Sequence, residues 1–498
     1  MSVRTLTFDE ISERAEQVMR ENGFEPEFPP EVRAEVDGLR ERGAGEGGPS
    51  VRDLRGLLWS SIDNRSSRDL DQVEYAERLD DGDIRVLIGI ADVDPYVRQG
   101  SAIDRHAAHN TVSVYTEART FPLLPEELSF DLTSLVEDAD RLCVVVELVI
   151  KENGDVPGND VFLAWTRNRA KLNYSEIGEW LEGDAPLPDK VKGIDGLERQ
   201  LRLQAEAAGR LHRYRCERGA LEFESIESSA IVVGGEIRGL ETVKTNSARR
   251  IIENFMIAAN VEMAEFLERN NSFSLRRVVK TPERWDGIRK IAAEYDEPLP
   301  AEPDAIALSA FLDRRREADP LHFPDLSLSI VKLIGSGDYV VKRPGVGSDG
   351  HFGLAVRDYA HSTAPNRRYS DIIVQRLVKA ALRGDGEPYT FEELNAIAER
   401  CNLQESAARK VERKIRKVVA ANVMRRHIGE SFKAIVTGVT KSGTFARILR
   451  PPVDGRVVRG ERGLEVGEAV TVTLLSADPR TGFIDFAADR ARRSTTAS

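Results

Sequence analysis

Asp63-Asn64-Arg65-Ser66-Ser67-Arg68-Asp69-Leu70-Asp71-Gln72 places three carboxylates in one short polar stretch, between the apolar runs Leu57-Leu58-Trp59 and Val86-Leu87-Ile88. Carboxylates this close repel one another. A fold tolerates them most readily when a cation sits among them, and an oxygen-only ligand set suits Mg²⁺ or Mn²⁺. Sites of that kind commonly hold phosphate groups for hydrolysis or transfer. Taken alone, the stretch reads as a solvated acidic loop, because Asp is common in turns. The rest of the chain decides between the two readings.

With 498 residues, the chain is long enough for two to four domains and a large core. Cys143, Cys216 and Cys401 are scattered and odd in number, which argues against a disulfide framework and for a reducing cytoplasm. No apolar run approaches the length of a membrane span, and the N-terminus lacks the apolar centre of a signal peptide. A cytoplasmic protein with no membrane association is expected. The net charge of −12 looks unsuited to a polyanion binder. The distribution says otherwise: Arg409 to Arg426 carries eight Lys/Arg against Glu412 alone. Phe432 to Gly463 carries seven against Asp454 and Glu461. An acidic body thus bears a basic C-terminal third, which reads either as a solvated charged helix or as a track for a phosphate backbone.

The expected class is α+β. Thr7-Phe8-Asp9-Glu10 is a capping-box pattern, and Phe8, Ile11, Ala15, Val18 and Met19 follow at helical spacing until Gly23. A second short helix is predicted from Pro30, with Val32, Val36 and Leu39 on one face. Residues 1–50 therefore read as a small helical N-terminal domain of helix-turn-helix type, closed by the Gly-rich linker Gly43 to Ser50. Residues 51–428 read as one large mixed α/β domain. Strands are expected at Ile84 to Val93 and Leu142 to Lys151, and long helices at Thr245 to Asn270, Arg368 to Leu382 and Glu392 to Arg426. From 429 to 490, short alternating segments around Gly and Pro turns predict an OB-fold β-barrel, and 491–498 read as a disordered tail.

Further blocks follow the acidic stretch in order. They are Ile90-Ala91-Asp92-Val93-Asp94-Pro95-Tyr96-Val97, Gly100 to Asp104, Ser113-Val114-Tyr115 and Pro122 to Ser129. Then come Arg218-Gly219-Ala220-Leu221-Glu222-Phe223, Glu253 ahead of Met256 to Asn260, and Ala364-Pro365-Asn366-Arg367-Arg368-Tyr369-Ser370-Asp371. Together these resemble the ribonuclease II family of processive 3′→5′ exoribonucleases, from about Leu57 to the C-terminus. The final barrel resembles the ribosomal-protein-S-one type of OB fold that commonly ends them. Two departures stand out. The family's paired N-terminal cold-shock folds have no counterpart in the short helical segment. The acidic motif ends in Gln72 where the family has a fourth Asp.

The resemblance implies roles residue by residue. Asp63, Asp69, Asp71 and, through its amide oxygen, Gln72 would hold Mg²⁺ or Mn²⁺. In-line hydrolysis of a phosphodiester is well served by two such cations about 3.5–4 Å apart. Arg367 would sit at the scissile phosphate, where a guanidinium fork offers two hydrogen bonds that Lys does not reproduce. Tyr115, Tyr174 and Phe223 would stack on the terminal bases of single-stranded RNA. Glu253 and Glu412 would lie near the terminal ribose and base. The implied function is hydrolysis of single-stranded RNA to nucleoside 5′-monophosphates, with no stable protein partner. The alternatives are a catalytically impaired member acting as an RNA-binding regulator, which Gln72 favours, and a transcriptional or ribosome-associated factor, which leaves the central motifs unexplained.

Overall fold

The computed structural model describes residues 4–42, 50–224, 227–233, 236–243, 245–347, 349–440 and 443–489. The expected linker is described only at its last residue, Ser50, and the expected tail lies outside the described residues.

Ile84–Ala91 is apolar almost without interruption, which is how a strand reads when both faces are covered. It lies in a six-stranded sheet ordered Arg52–Asp53, Gly158–Asn173, Trp59–Asp63, Gln72–Arg78, Ile84–Ala91, Asp140–Ile150. Gly158–Asn173 is long enough to pair twice. Its first part runs antiparallel to Asp140–Ile150, and its last part runs parallel to Trp59–Asp63. The sheet therefore curls back on itself. Trp59, Val73, Leu87, Val145 and Phe162 form one packed face. Ile62, Ala76, Ile88 and Val146 form the other, under the helices Leu197–Cys216, Ser247–Arg269 and Tyr369–Arg383.

The first helix is Phe8–Glu21, with the reciprocal capping box of Thr7 and Glu10, a local feature worth about 1 kcal/mol. Its apolar stripe does not close on the second helix, Pro30–Arg42. Ile11, Ala15, Val18 and Met19 pack with Val411, Ile415, Val418 and Val419 of the 34-residue helix Phe391–Met424. Asn422 clamps the entry by accepting from Leu6 N (2.7 Å) and donating to Leu6 O (3.1 Å). Val32, Val36 and Leu39 join the main core instead. Both N-terminal helices are thus built into the large domain's packing.

Five strands, Ser431–Thr440, Gly443–Leu449, Pro452–Arg459, Ala469–Asp478 and Phe483–Asp489, close the C-terminal barrel. Their inward residues, including Val436, Ile448, Val472, Leu474 and Phe486, share a core with Ala421 and Met424 at the end of the long helix. The barrel is also tied to the large domain by Arg447, which donates to Asp325 on the helix Phe323–Ile334 at 2.8 Å. Gly482 has φ +77° where the last barrel turn meets the long helix, and a Cβ there would come within 2.8 Å of Lys417 Cβ. The close approach and the left-handed turn both require glycine.

The basic run of the long helix is partly spent within the fold. Arg409 pairs with Glu405, Lys414 with Glu21 (3.0 Å) and Arg416 with Glu117 (3.1 Å). A continuous phosphate track along this helix is therefore reduced to its remaining cations.

Candidate active site

The acidic stretch is a loop between two neighbouring strands, with Asp63 closing one and Gln72 opening the next. The loop is held at several points. Lys171 donates to the carbonyls of Arg65 and Ser67, while Ser134 donates to Arg68 O and accepts from Leu70 N. Asp71 O accepts from Ala91 N at 2.9 Å. The loop is thus anchored at both ends, while Asn64, Arg65, Ser66 and Arg68 between them stay exposed.

Asp63 and Asp71 are almost fully buried. Burial lifts Asp63 to about 6, partly countered by Ser61 and Gln72. Burial lifts Asp71 to about 7, with Arg367 pulling the other way and Asp69 adding to the rise. The compensation from the protein is slight. Arg367 Nε lies 3.5 Å from Asp71 Oδ2 on a side chain that is 46% exposed. The backbone N–H of Asn366 donates to Asp71 Oδ1 at 3.0 Å. Asp63 Oδ2 is buried with no hydrogen-bond partner. A buried carboxylate oxygen without a partner is costly and calls for an explanation such as a missing ion. A divalent cation fits that donor set: Asp63 and Asp71 are buried, Asp69 is near enough for its charge to act on both, and one Asp63 oxygen is unused.

Arg367 comes from a loop that is itself over-determined. Asp371 accepts two hydrogen bonds from Arg368 (2.9 and 2.7 Å) and one from Ala364 N (2.8 Å). Arg367 O accepts from Ser113 N, and Tyr369 N donates to Thr111 O. The strand carrying Tyr115 is therefore tied to the arginine loop. Tyr115 is 42% exposed, and its hydroxyl donates to Asp69 Oδ2 at 2.8 Å. Glu412 accepts from Tyr115 N at 3.3 Å, and burial pushes its carboxyl up. Tyr174 begins the helix Tyr174–Glu182, directly after Asn173, the register partner of Asp63. The Arg249 guanidinium lies 4.5 Å over its ring and donates to Asn64 Oδ1 at 2.9 Å.

Asp63, Asp69, Asp71, Gln72, Arg367, Tyr115, Tyr174 and Glu412 thus form one connected set. Gln72 Nε2 donates to Asp63 Oδ1 at 3.2 Å, which leaves the amide oxygen, the atom the resemblance assigns to the cation, outside that bond. Phe223 packs, partly buried, on the separate cluster of Leu221, Trp285 and Phe311. Glu253 is exposed one turn beyond Arg249, and its charge acts on Arg215.

Glu74 was not anticipated. It is fully buried with neither carboxylate oxygen partnered, and burial and then Asp63 push its carboxyl well up. Its position two residues beyond Gln72, on the same face of the strand, was the available signal.

A curled sheet whose strand ends carry buried carboxylates, an arginine loop beside them and a C-terminal OB-type barrel define an α+β protein with a site suited to a phosphate group. The chain belongs to the RNB family: the RNB domain matches residues 51–384, and the RNase II-type exonuclease C-terminal S1 domain matches 430–489. Ribonuclease R of Vibrio cholerae is 33% identical over 448 residues, 86% of this chain and 53% of that protein. Ribonuclease R of Escherichia coli K12 is 31% identical over 454 residues, 86% of this chain and 54% of its own length. The chain spans about half the length of these curated relatives. In fold it is similar to Mycoplasma genitalium RNase R in complex with ribose methylated single-stranded RNA. That match has a TM-score of 0.87 at 21% identity, over 97% of this chain and 78% of the other.

Proposed function

We propose that this chain is a divalent-cation-dependent 3′→5′ exoribonuclease that hydrolyses single-stranded RNA to nucleoside 5′-monophosphates. The observation that carries the reading is the pair of buried, barely compensated carboxylates, Asp63 and Asp71, facing Arg367 and set beside the exposed ring of Tyr115. Asp63, Asp69 and Asp71 would hold Mg²⁺ or Mn²⁺, which supplies charge neutralisation at the phosphate and a more acidic water. Arg367 donates to phosphate oxygens and meets the charge that grows there during in-line displacement. Tyr115, held by Asp69 and Glu412, offers a ring edge-anchored for stacking on a terminal base. Tyr174, under Arg249, lies on the Asp63 side of the cup. The barrel adds basic surface for the incoming strand. Three free cysteines, two of them buried, suit a cytoplasmic setting.

A second reading, a catalytically impaired RNA-binding member, is favoured by one observation: the Gln72 amide donates to Asp63 where a fourth carboxylate would add charge. One assay separates the two. The protein is incubated with 3′-tailed and blunt RNA in Mg²⁺, Mn²⁺ or EDTA, and products are resolved. Metal-dependent release of nucleoside 5′-monophosphates from the 3′ end is expected. Tight RNA binding with intact RNA in every metal would establish the second reading instead.

A further inference from the structure

Away from the carboxylate cup, three side chains of different chemistry converge without any role in the reading above. His212 and Cys216 lie one turn apart on the helix Leu197–Cys216, and Glu222 comes from the segment that follows. The chain reverses at Gly219, whose φ of +89° and 2.7 Å approach of a would-be Cβ to Ile306 N admit only glycine. Leu221 N then donates to Gly353 O and Glu224 N to Ser327 Oγ, which fixes Glu222 over the helix end.

The separations suit a tetrahedral ion. His212 Nε2 lies 3.6 Å from Cys216 Sγ and 2.8 Å from Glu222 Oε1. One ligand atom from each residue falls within 4.8 Å of the others. With Zn–S near 2.3 Å and Zn–N near 2.05 Å, tetrahedral angles place sulfur and nitrogen about 3.6 Å apart and nitrogen and oxygen about 3.4 Å apart. The first edge is met in length, but Sγ also lies 3.9 Å from Nδ1, beside the ring rather than along the Nε2 lone pair, so the thiol must swing toward that lone pair on binding, while the second edge opens by about 0.6 Å. Glu222 Oε2 is engaged by Arg316, which Asp313 holds in turn at 2.6 Å. That arrangement orients the carboxylate and leaves Oε1 toward the cluster, as outer partners of metal ligands commonly do. His212 and Glu222 are about one-third exposed, so a fourth position is open to water.

We propose that His212, Cys216 and Glu222 form a Zn²⁺-type site that staples the segment carrying Glu222 and Phe223 to the end of the helix. The mixed N, S and O donors select a borderline ion, unlike the oxygen-only cup, which suits Mg²⁺ or Mn²⁺. Cys216 and Glu222 raise the His212 imidazole to about 9, so binding releases both the thiol proton and the imidazolium proton to solvent. The proposal does not rest on the exoribonuclease reading.

The test uses the full chain, stripped with a chelator and titrated with Co²⁺ as the spectroscopic probe. A thiolate-to-cobalt charge-transfer band is expected to saturate at one equivalent and to disappear when Zn²⁺ is added. Cys216→Ser should abolish the band, and His212→Gln should weaken Co²⁺ binding at least ~10-fold. Cys401→Ala, at a buried thiol, should leave the band unchanged. Occupancy of the carboxylate cup gives no thiolate band, so failure of either reading is seen separately. A wild-type protein with no band in excess Co²⁺, or a band surviving in Cys216→Ser, overturns the site. Circular dichroism of the stripped variants controls for folding, and His212→Gln keeps the test decisive if Cys216→Ser does not fold.

Discussion

Two groups of buried or half-buried carboxylates lie close together at this end of the sheet, and they are treated in opposite ways. Asp92, Asp94 and Asp104 are answered by cations of the helix Tyr369–Arg383. Lys379 Nζ lies 2.9 Å from both Asp92 Oδ2 and Asp94 Oδ2, and Arg376 lies 3.0 Å from Asp94 and 2.9 Å from Asp104. Asp63 and Asp71 receive one half-exposed arginine, one backbone N–H, one serine hydroxyl and one amide. The electrostatic consequence is visible in the carboxyls. Asp94 is held below its ordinary value despite burial, because Lys379 and Arg376 flank it; burial outweighs Lys379 at Asp92 and raises it, and Asp71 is pushed up to about 7. A chain that gives one acidic group two buried side-chain cations and its neighbour a single half-exposed arginine is keeping the second for charge from outside. The first group has its own use. It fixes the helix that follows the Arg367 loop to the strand that ends at Ala91, and Gln375 adds a hydrogen bond to Ala91 O at 3.0 Å.

The sharpest break of this comparison is Lys379→Met. It strands Asp92 without its partner, and a loss of about 3–5 kcal/mol is expected in denaturant unfolding. An unchanged midpoint would mean that the network is not holding the helix. Next comes Asp71→Asn, expected to reduce RNA hydrolysis at least ~10²-fold with RNA affinity near wild type, since the metal and phosphate site loses charge while the stacking surface is untouched. Full activity of this variant would remove the cup from the mechanism.

The same cup predicts a stability effect of opposite sign. Asp63 and Asp71 have folded values raised to about 6 and about 7 from 3.8. Between the ordinary and the raised values the folded state binds protons that the unfolded chain has released. Metal-free protein should therefore lose stability as pH rises from about 4 to 7, by on the order of 2 kcal/mol or more. Saturating Mg²⁺ should cancel the loss, and Asp71→Asn should raise the metal-free Tm at pH 8. Thermal scans with and without EDTA across that range check all three; a Tm insensitive to both pH and metal would contradict the bare-carboxylate picture.

Tyr115→Ala removes a ring anchored by Asp69. A cost of about 1–3 kcal/mol in short-oligonucleotide binding is expected, with a longer residual product. An identical product ladder would take Tyr115 out of the RNA path. The smallest effect is expected for Gln72→Asp, a few-fold fall in the metal concentration for half-maximal activity, because a carboxylate attracts hard cations more than an amide does. Superimposable metal titrations would show that position 72 serves only to orient Asp63.

Much of this was readable from local rules. The capping box of Thr7 and Glu10 marked a helix start to the residue, and the expected helix from Thr245 to Asn270 became Ser247–Arg269. The barrel was visible as alternation between Gly and Pro turns, and the acidic and arginine motifs stood out by spacing. Periodicity, caps and turns are properties of neighbours along the chain, so the sequence by itself determined the elements, their order and the residue types available for chemistry. Tertiary structure alone decided which charges are spent. Arg376, a charged residue within the expected helix from Arg368 to Leu382, is buried against Asp94 and Asp104, and the basic run of the long helix gives cations to Glu405, Glu21 and Glu117. Glu74 looked like an ordinary strand carboxylate and is fully buried beside the cup. The apolar stripe of the first helix could have closed a small separate domain and instead packs on a helix some 400 positions later. Burial and pairing depend on which distant elements meet, and desolvation, which scales with that meeting, separates a solvated acidic loop from a carboxylate cup.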